Sequence, residues 1–104
     1  MDMNTYQTIA SKTAVYPGRQ SIVYPVLGLA GEAGEVAGKL SKHLRGDGPL
    51  DKDAMAMELG DCLWFIAAAG LDLGWTLEDI ALQNVHKLQK REAEGTLKGN
   101  GDNR

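Results

Sequence analysis

The spacing of apolar residues predicts helices along most of the chain. In four stretches, apolar side chains recur every three or four positions, which is the period of one face of an α-helix. The first predicted helix includes Tyr6 and ends before the breaker at Pro17. The second begins near residues 24–25, since proline is tolerated in a first helical turn, and continues to about Leu44.

Turn and capping residues delimit two more helices. Residues 45–49 read Arg-Gly-Asp-Gly-Pro, a strong helix breaker, and Asp51 can then cap a third helix that stops around Gly74. Thr76 can cap a fourth helix that continues to about Glu92. No segment shows the sustained alternation of a strand. The pattern therefore predicts an all-α bundle of four to five helices.

The length of 104 residues fits one domain, which we assign to residues 1–95. The glycine-rich remainder, 96–104, is predicted to be a flexible tail. The formal net charge of −3 argues against binding to a nucleic-acid polymer, which needs a basic surface. A single cysteine allows no intramolecular disulfide, and no Cys/His cluster indicates zinc.

The chain shows no sign of secretion or membrane insertion. Its N-terminus has no apolar signal segment. The longest uninterrupted apolar run, 62–71, is shorter than the roughly 20 residues that cross a bilayer. We therefore expect a soluble, cytoplasmic protein without a membrane partner.

Two pairs of acidic residues stand out from small, apolar surroundings. Glu32 and Glu35 lie in GLAGEAGEVAGK, and Glu58 and Asp61 lie in MELGDCLWFIAAAG. Residues three apart share a helix face, so an antiparallel pairing of helices two and three would bring the two pairs together. Converging carboxylates repel one another and resist ionisation. A hard divalent cation removes that penalty, so the pattern indicates a Mg²⁺ site.

A solvated helix face and a di-iron centre are the alternatives to a Mg²⁺ site. A single Glu-x-x-Glu pair usually belongs to a solvated helix face. Two pairs on adjacent helices favour a site, as do the nearby glycines, since each costs up to about 1 kcal/mol in a helix relative to alanine. A di-iron centre is disfavoured because neither His43 nor His86 has a glutamate three residues before it.

The two acidic segments resemble a known family. GLAGEAGEVAGKLSKHLRG followed by MELGDCLWFIAAAG is similar to the ExxE…ExxD signature of the MazG-like all-α nucleoside triphosphate pyrophosphohydrolases. NVHKLQKR is similar to that family's N-x-x-K-L-x-x-R segment, and the likeness covers about residues 24–95. The resemblance implies Mg²⁺-dependent hydrolysis of (deoxy)nucleoside triphosphates to monophosphate and pyrophosphate, with a role in cleaning the nucleotide pool. It also implies a homodimer or dimer of dimers whose helices enclose each site.

The resemblance assigns roles to particular residues. Those expected to hold Mg²⁺, with Mn²⁺ as an acceptable substitute, and to activate water are Glu32, Glu35, Glu58 and Asp61. Those expected to bind substrate are Asn84, Lys87, Arg91 and, in the tail, Lys98. For the basic residues of helix four, complementing the helix dipole is an equal alternative. Lys39 is expected to form a salt bridge with Glu35, four residues earlier.

The sequence leaves the role of two aromatic residues and the class of function open. Trp64 or Phe65 can stack on a nucleobase, although packing in the core or a dimer is favoured. The protein can also be a non-catalytic helical homodimer that binds nucleotide or a partner protein around a structural cation. A bundle with solvated carboxylates is the third possibility, and the preferred base is not predicted.

Overall fold

A computed structural model describes residues 1–103, which form four α-helices and one 3₁₀ turn. In chain order these are α1 Met3–Ser11, the 3₁₀ turn Gly18–Gln20, α2 Val23–Leu44, α3 Lys52–Leu73 and α4 Leu77–Glu94. Residues 1–103 contain no strand, so the all-α class is confirmed. Arg104, the last residue of the predicted tail, lies outside the described residues.

Local capping explains where α3 begins and ends and where α4 begins. The Asp51 side chain accepts a hydrogen bond from the backbone N–H of Ala54 at 2.9 Å, and Thr76 accepts one from Asp79 at 3.1 Å. Gly74 closes α3 in the left-handed conformation, with φ of 80°, which glycine adopts without steric cost. The predicted boundaries of α3 are confirmed, because they depend on residues next to the helix ends.

Helices α2 and α3 pack against each other in antiparallel orientation. Gly28, early in α2, lies against Phe65, late in α3, whereas Lys39 lies beside Glu58, nearer the start of α3. The approach at Gly28 is close, since a Cβ atom there would lie 2.2 Å from Phe65 Cε1. This packing places the two acidic segments side by side.

We expect Gly28→Ala to destabilise the protein by about 1–3 kcal/mol, because its methyl group would displace the Phe65 ring. Gly34→Ala is the matched control on the same helix, since a Cβ there meets nothing within 4 Å. The control should be neutral or more stable by up to about 1 kcal/mol, because alanine favours the helix. Denaturant unfolding of both variants tests this. Equal stability of the two would show that α2 and α3 do not approach closely at Gly28.

A buried glutamine joins α1 to the turn between α3 and α4. The Gln7 amide donates to the carbonyl oxygens of Ala67 and Trp75, at 3.1 Å each, and accepts from the N–H of Leu77 at 3.0 Å. Gln7 is 3% exposed, so these bonds satisfy backbone groups that water cannot reach. They fix the start of α4 relative to α3.

The single chain is more extended than a compact domain of its length. Its radius of gyration is 16.4 Å, against about 13 Å for a globular domain of this size. Helix α4 contributes to the exposed apolar surface, as Leu82, Val85 and Leu88 are each more than 40% exposed. Three residues apart in sequence, they lie on one side of the helix. A single copy therefore leaves apolar surface uncovered.

Helix α3 is long and apolar enough, by length and composition, to cross a membrane. Such a helix also arises as the core helix of a soluble protein. Here α3 lies between α1 and α2 and carries Glu58 and Asp61 near its middle. Charged residues are costly at that depth of a bilayer. This placement favours α3 as the central helix of a bundle over a membrane-spanning helix. The absence of a membrane partner stays a prediction.

Candidate metal centre

Three of the four predicted carboxylates come together between α2 and α3. One oxygen from each of Glu32, Glu58 and Asp61 lies within 4.8 Å of the others. Glu32 and Glu58 are half-buried, and Asp61 is exposed. The group thus combines two rigid helices with an opening to solvent.

Glu35 is not among the three converging residues. It is exposed and lies one helical turn after Glu32 on α2. Its charge nevertheless acts on Glu32, contributing to the raised pKa of that carboxyl. Its predicted role as a metal ligand stays a prediction.

The Glu32 carboxyl shows the electrostatic cost of this arrangement. Desolvation raises its pKa most, followed by a hydrogen bond shared with Glu58 and the negative charges of Asp61, Glu58 and Glu35. A bound cation would offset the same repulsion, and oxygen donors are what Mg²⁺ prefers. The donor set therefore fits a hard divalent cation.

The raised pKa of Glu32 predicts a pH-dependent stability difference. Glu32 binds a proton more tightly in the folded than in the unfolded state. Its contribution to the free energy of unfolding is therefore complete below pH 4.5, its ordinary pKa, and is lost as the pH rises through the higher pKa of the folded state. In a metal chelator, we expect Glu32→Gln to melt above the wild type at neutral pH, and this difference to shrink toward pH 4.5. Melting curves across this range, with and without Mg²⁺, provide the measurement. A difference that is constant with pH would show that Glu32 is not perturbed.

The prediction of a salt bridge between Lys39 and Glu35 is wrong. The Lys39 ammonium instead lies 3.7 Å from Glu58 Oε1. Helix α3 brings Glu58 against Lys39 in a half-buried position, whereas a pair with the exposed Glu35 would be weakened by water. Lys39 thus borders the acidic group and holds one of its members.

A depression of about 400 Å³ opens beside the carboxylates. It is lined by Thr13, Glu32, Asp61, Trp64 and Phe65. The Trp64 indole N–H donates to the Thr13 hydroxyl at 2.7 Å, and its ring meets Phe65 edge to face with centroids 5.0 Å apart. Thr13 was missed by sequence reasoning, because it lies in the loop after α1, where no motif marks it.

More aromatic rings extend from this depression along the start of α2. Tyr24 lies 6.0 Å from Phe65 between ring centroids and stacks on Tyr16 at 4.8 Å. Tyr16 donates its hydroxyl to Asp72 at 2.8 Å, and the N–H of Ile22 donates to the same carboxylate oxygen. Asp72 therefore anchors the loop that carries Thr13 and Tyr16. Base stacking by Trp64 or Phe65 stays open, since both border the acidic group.

The residues predicted to bind substrate lie on α4 and the segment after it. Lys87 pairs with Asp102 at 3.0 Å, and the buried Arg91 contacts Asp102 at 3.4 Å and the Gly101 carbonyl at 3.3 Å. Asn84 and Lys98 are exposed. Within residues 1–103, none of these four lines the acidic depression. Their role in substrate binding stays a prediction.

The sequence was compared with protein families and with known proteins. A model of the MazG nucleotide pyrophosphohydrolase domain matches residues 20–96. The chain is also 40% identical, over 114 aligned positions that cover all of both proteins, to the Gene 37 protein of Mycobacterium phage L5. That name describes no activity. No solved structure matches the chain.

Proposed function

This chain belongs to the MazG nucleotide pyrophosphohydrolase family, and we propose that it hydrolyses (deoxy)nucleoside triphosphates to monophosphate and pyrophosphate with Mg²⁺. The observation that carries the proposal is the convergence of Glu32, Glu58 and Asp61 from two packed helices. A triphosphate is strongly anionic, and an acidic site attracts it only through a cation. Substrate binding at these carboxylates therefore requires a bound metal ion.

The chain's own residues account for the parts of the reaction. Glu32, Glu58 and Asp61 would hold Mg²⁺ or Mn²⁺, which supplies charge neutralisation at the phosphate oxygens and a more acidic water. Glu35 would complete the ligands or accept the proton of the attacking water. Glu35 lies one helical turn after Glu32, and its side chain is exposed. The fixed helices keep these groups in position before substrate arrives.

We further propose a homodimer or dimer of dimers, with Asn84, Lys87, Arg91 and Lys98 contacting the substrate. The extended shape of one chain and the apolar face of α4 support assembly. A partner's α4 is the simplest way to bring these residues to the acidic group. Lys87 and Arg91 would then exchange Asp102 for a phosphate, which offers similar anionic oxygens. We place this activity in the cytoplasm, as nucleotide-pool cleaning, without a nucleic-acid or membrane partner.

A panel assay tests the proposed function. Purified protein is incubated with each common NTP and dNTP in Mg²⁺ or in chelator, and the products are separated. We expect monophosphate only with metal, and the rates rank the bases. A protein that melts higher in Mg²⁺ but turns over no nucleotide would instead be a non-catalytic homodimer with a structural cation.

A further inference from the structure

A second depression, of about 200 Å³, lies at the turn between α2 and α3. Its α2 wall consists of Lys39, Lys42 and His43, and its other wall includes Asp47, Asp51 and Ala54. These three basic or titratable side chains come from two successive turns of one helix. The depression therefore differs in charge from the neighbouring acidic one.

The two acidic residues of this depression are engaged with other groups. Asp47 is bonded to the Arg45 guanidinium, and Asp51 caps α3 through the N–H of Ala54. Neither carboxylate forms an ion pair with a lysine of the wall, among the residues that the structure describes. Lys39 contacts Glu58 at 3.7 Å, so the charge of Lys42 is the one left to act on an entering ligand.

The basic wall is held in place. His43 Nδ1 lies 2.8 Å from the Gly48 carbonyl oxygen, so this nitrogen donates its proton, and Nε2 donates to an anion when the ring is in its imidazolium form. Lys42 has no ion pair within residues 1–103. Ammonium groups and an oriented imidazolium suit an anion with several oxygens.

Lys39 connects this basic depression to the acidic group. It lines the depression and also contacts Glu58 at 3.7 Å. Along α2 it lies two helical turns, about 10 Å, after Glu32, with Lys42 about one turn further. In the opposite direction α2 leads to Tyr24 and the aromatic rings. Along the α2–α3 pair, the side chains that line the two depressions therefore change from aromatic to acidic and then to basic.

This order matches the parts of a nucleoside triphosphate. We propose that the depression at the α2–α3 turn binds the β- and γ-phosphates through Lys42 and His43, with Lys39 between them and the metal centre. The α-phosphorus then lies at the carboxylates, and the nucleoside points toward Trp64 and Phe65. Water adds to the α-phosphorus as its proton passes to Glu35, the bond to the bridging oxygen breaks, and pyrophosphate leaves with that electron pair into the basic depression. This inference rests on the proposed function.

The test compares a Lys42→Gln/His43→Gln variant with Lys52→Gln, which removes one nearby charge outside the depression. Binding of inorganic pyrophosphate in Mg²⁺ is measured by calorimetry, together with KM for a triphosphate and inhibition by the monophosphate.

In the double variant, we expect the Kd for pyrophosphate and the KM for the triphosphate to rise about tenfold or more. This change corresponds to the loss of one charge-assisted hydrogen bond. Monophosphate inhibition should change less than about twofold, because it needs only the carboxylate end. Lys42→Arg alone, which keeps the positive charge, should retain most of the wild-type pyrophosphate affinity.

The possible failures are distinguishable. Pyrophosphate binding unchanged in the double variant, or weakened equally in Lys52→Gln, would overturn the assignment of this depression even if the enzyme is active. Monophosphate inhibition weakened as much as pyrophosphate binding would also overturn it. Absence of monophosphate product from the wild type would contradict the proposed function instead. The melting temperature of each variant is measured as a control. Lys42→Gln alone keeps the hydrogen bond between His43 and Gly48, so a loss of pyrophosphate affinity in that variant does not arise from a change in the turn.

Discussion

Asp61→Asn is expected to lower kcat/KM roughly 100-fold or more, the usual cost of removing one group that stabilises transition-state charge. Asparagine preserves the shape of the side chain and removes only its charge, and Asp61 is exposed, so folding should be unaffected. Steady-state kinetics of nucleotide hydrolysis in Mg²⁺ provide the measurement. Asp53→Asn is the matched control, as Asp53 lies in the first turn of the same helix and outside the converging group.

The same variant separates a metal role from a purely structural one. Without metal, Asp61→Asn should melt at or above the wild-type temperature, because one of the charges that repel Glu32 is gone. With Mg²⁺ at 100 times its Kd, native-state binding adds about 2.7 kcal/mol to the wild type, and the variant should lose most of this gain. Wild-type turnover in Asp61→Asn would show that the three carboxylates are not the active site.

Val85→Glu is expected to weaken self-association roughly 100-fold or more, the scale of a central interface residue, and to abolish turnover with it. Val85 lies in the exposed apolar face of α4, between Leu82 and Leu88. A charge placed there would be desolvated in a dimer without a partner. Sedimentation should show the wild type as a multiple of the 11.2 kDa chain and the variant as a monomer.

Gln83→Glu is the control for Val85→Glu, because it adds the same charge two residues away, on another side of α4. It should sediment and turn over substrate like the wild type. A wild type that is active as a monomer would contradict the proposed assembly, and the apolar face of α4 would then serve a different purpose. Equal loss of association in both variants would show that added charge alone is responsible.

The helix boundaries could be predicted because their causes are local. Asp51, Gly74 and Thr76 each act on backbone groups within a few residues. The end of α1 at Ser11, several residues before Pro17, is less evident from sequence, since no capping motif marks it; there the Thr13 hydroxyl donates to the Ala10 carbonyl at 2.8 Å. Boundaries without a capping motif remain the least predictable.

The acidic site could be predicted only to the level of helix faces. A spacing of three places two carboxylates on one side, but the packing of α3 decides that Glu32 joins Glu58 and Asp61 while Glu35 stays outside. The same packing gives Lys39 to Glu58 rather than to Glu35. Contacts between helices join residues that are far apart in sequence. A single sequence does not indicate which of these residues meet.

The position of α4 could not be predicted for a different reason. The N-x-x-K-L-x-x-R resemblance marks Lys87 and Arg91, but within one chain both pair with Asp102 after the helix. Helix α4 carries apolar side chains that this chain does not cover. In the proposed assembly its functional contacts depend on a second chain, which the pattern of one chain does not specify.

The most direct test of the proposed reaction is hydrolysis in ¹⁸O-labelled water with Mg²⁺, followed by mass spectrometry of the products. If the carboxylates direct water to the α-phosphorus, the label will be found in the nucleoside monophosphate and the pyrophosphate will be unlabelled. Label in pyrophosphate, or in orthophosphate formed together with a nucleoside diphosphate, would place the attack at the β- or γ-phosphorus and contradict the proposed mechanism.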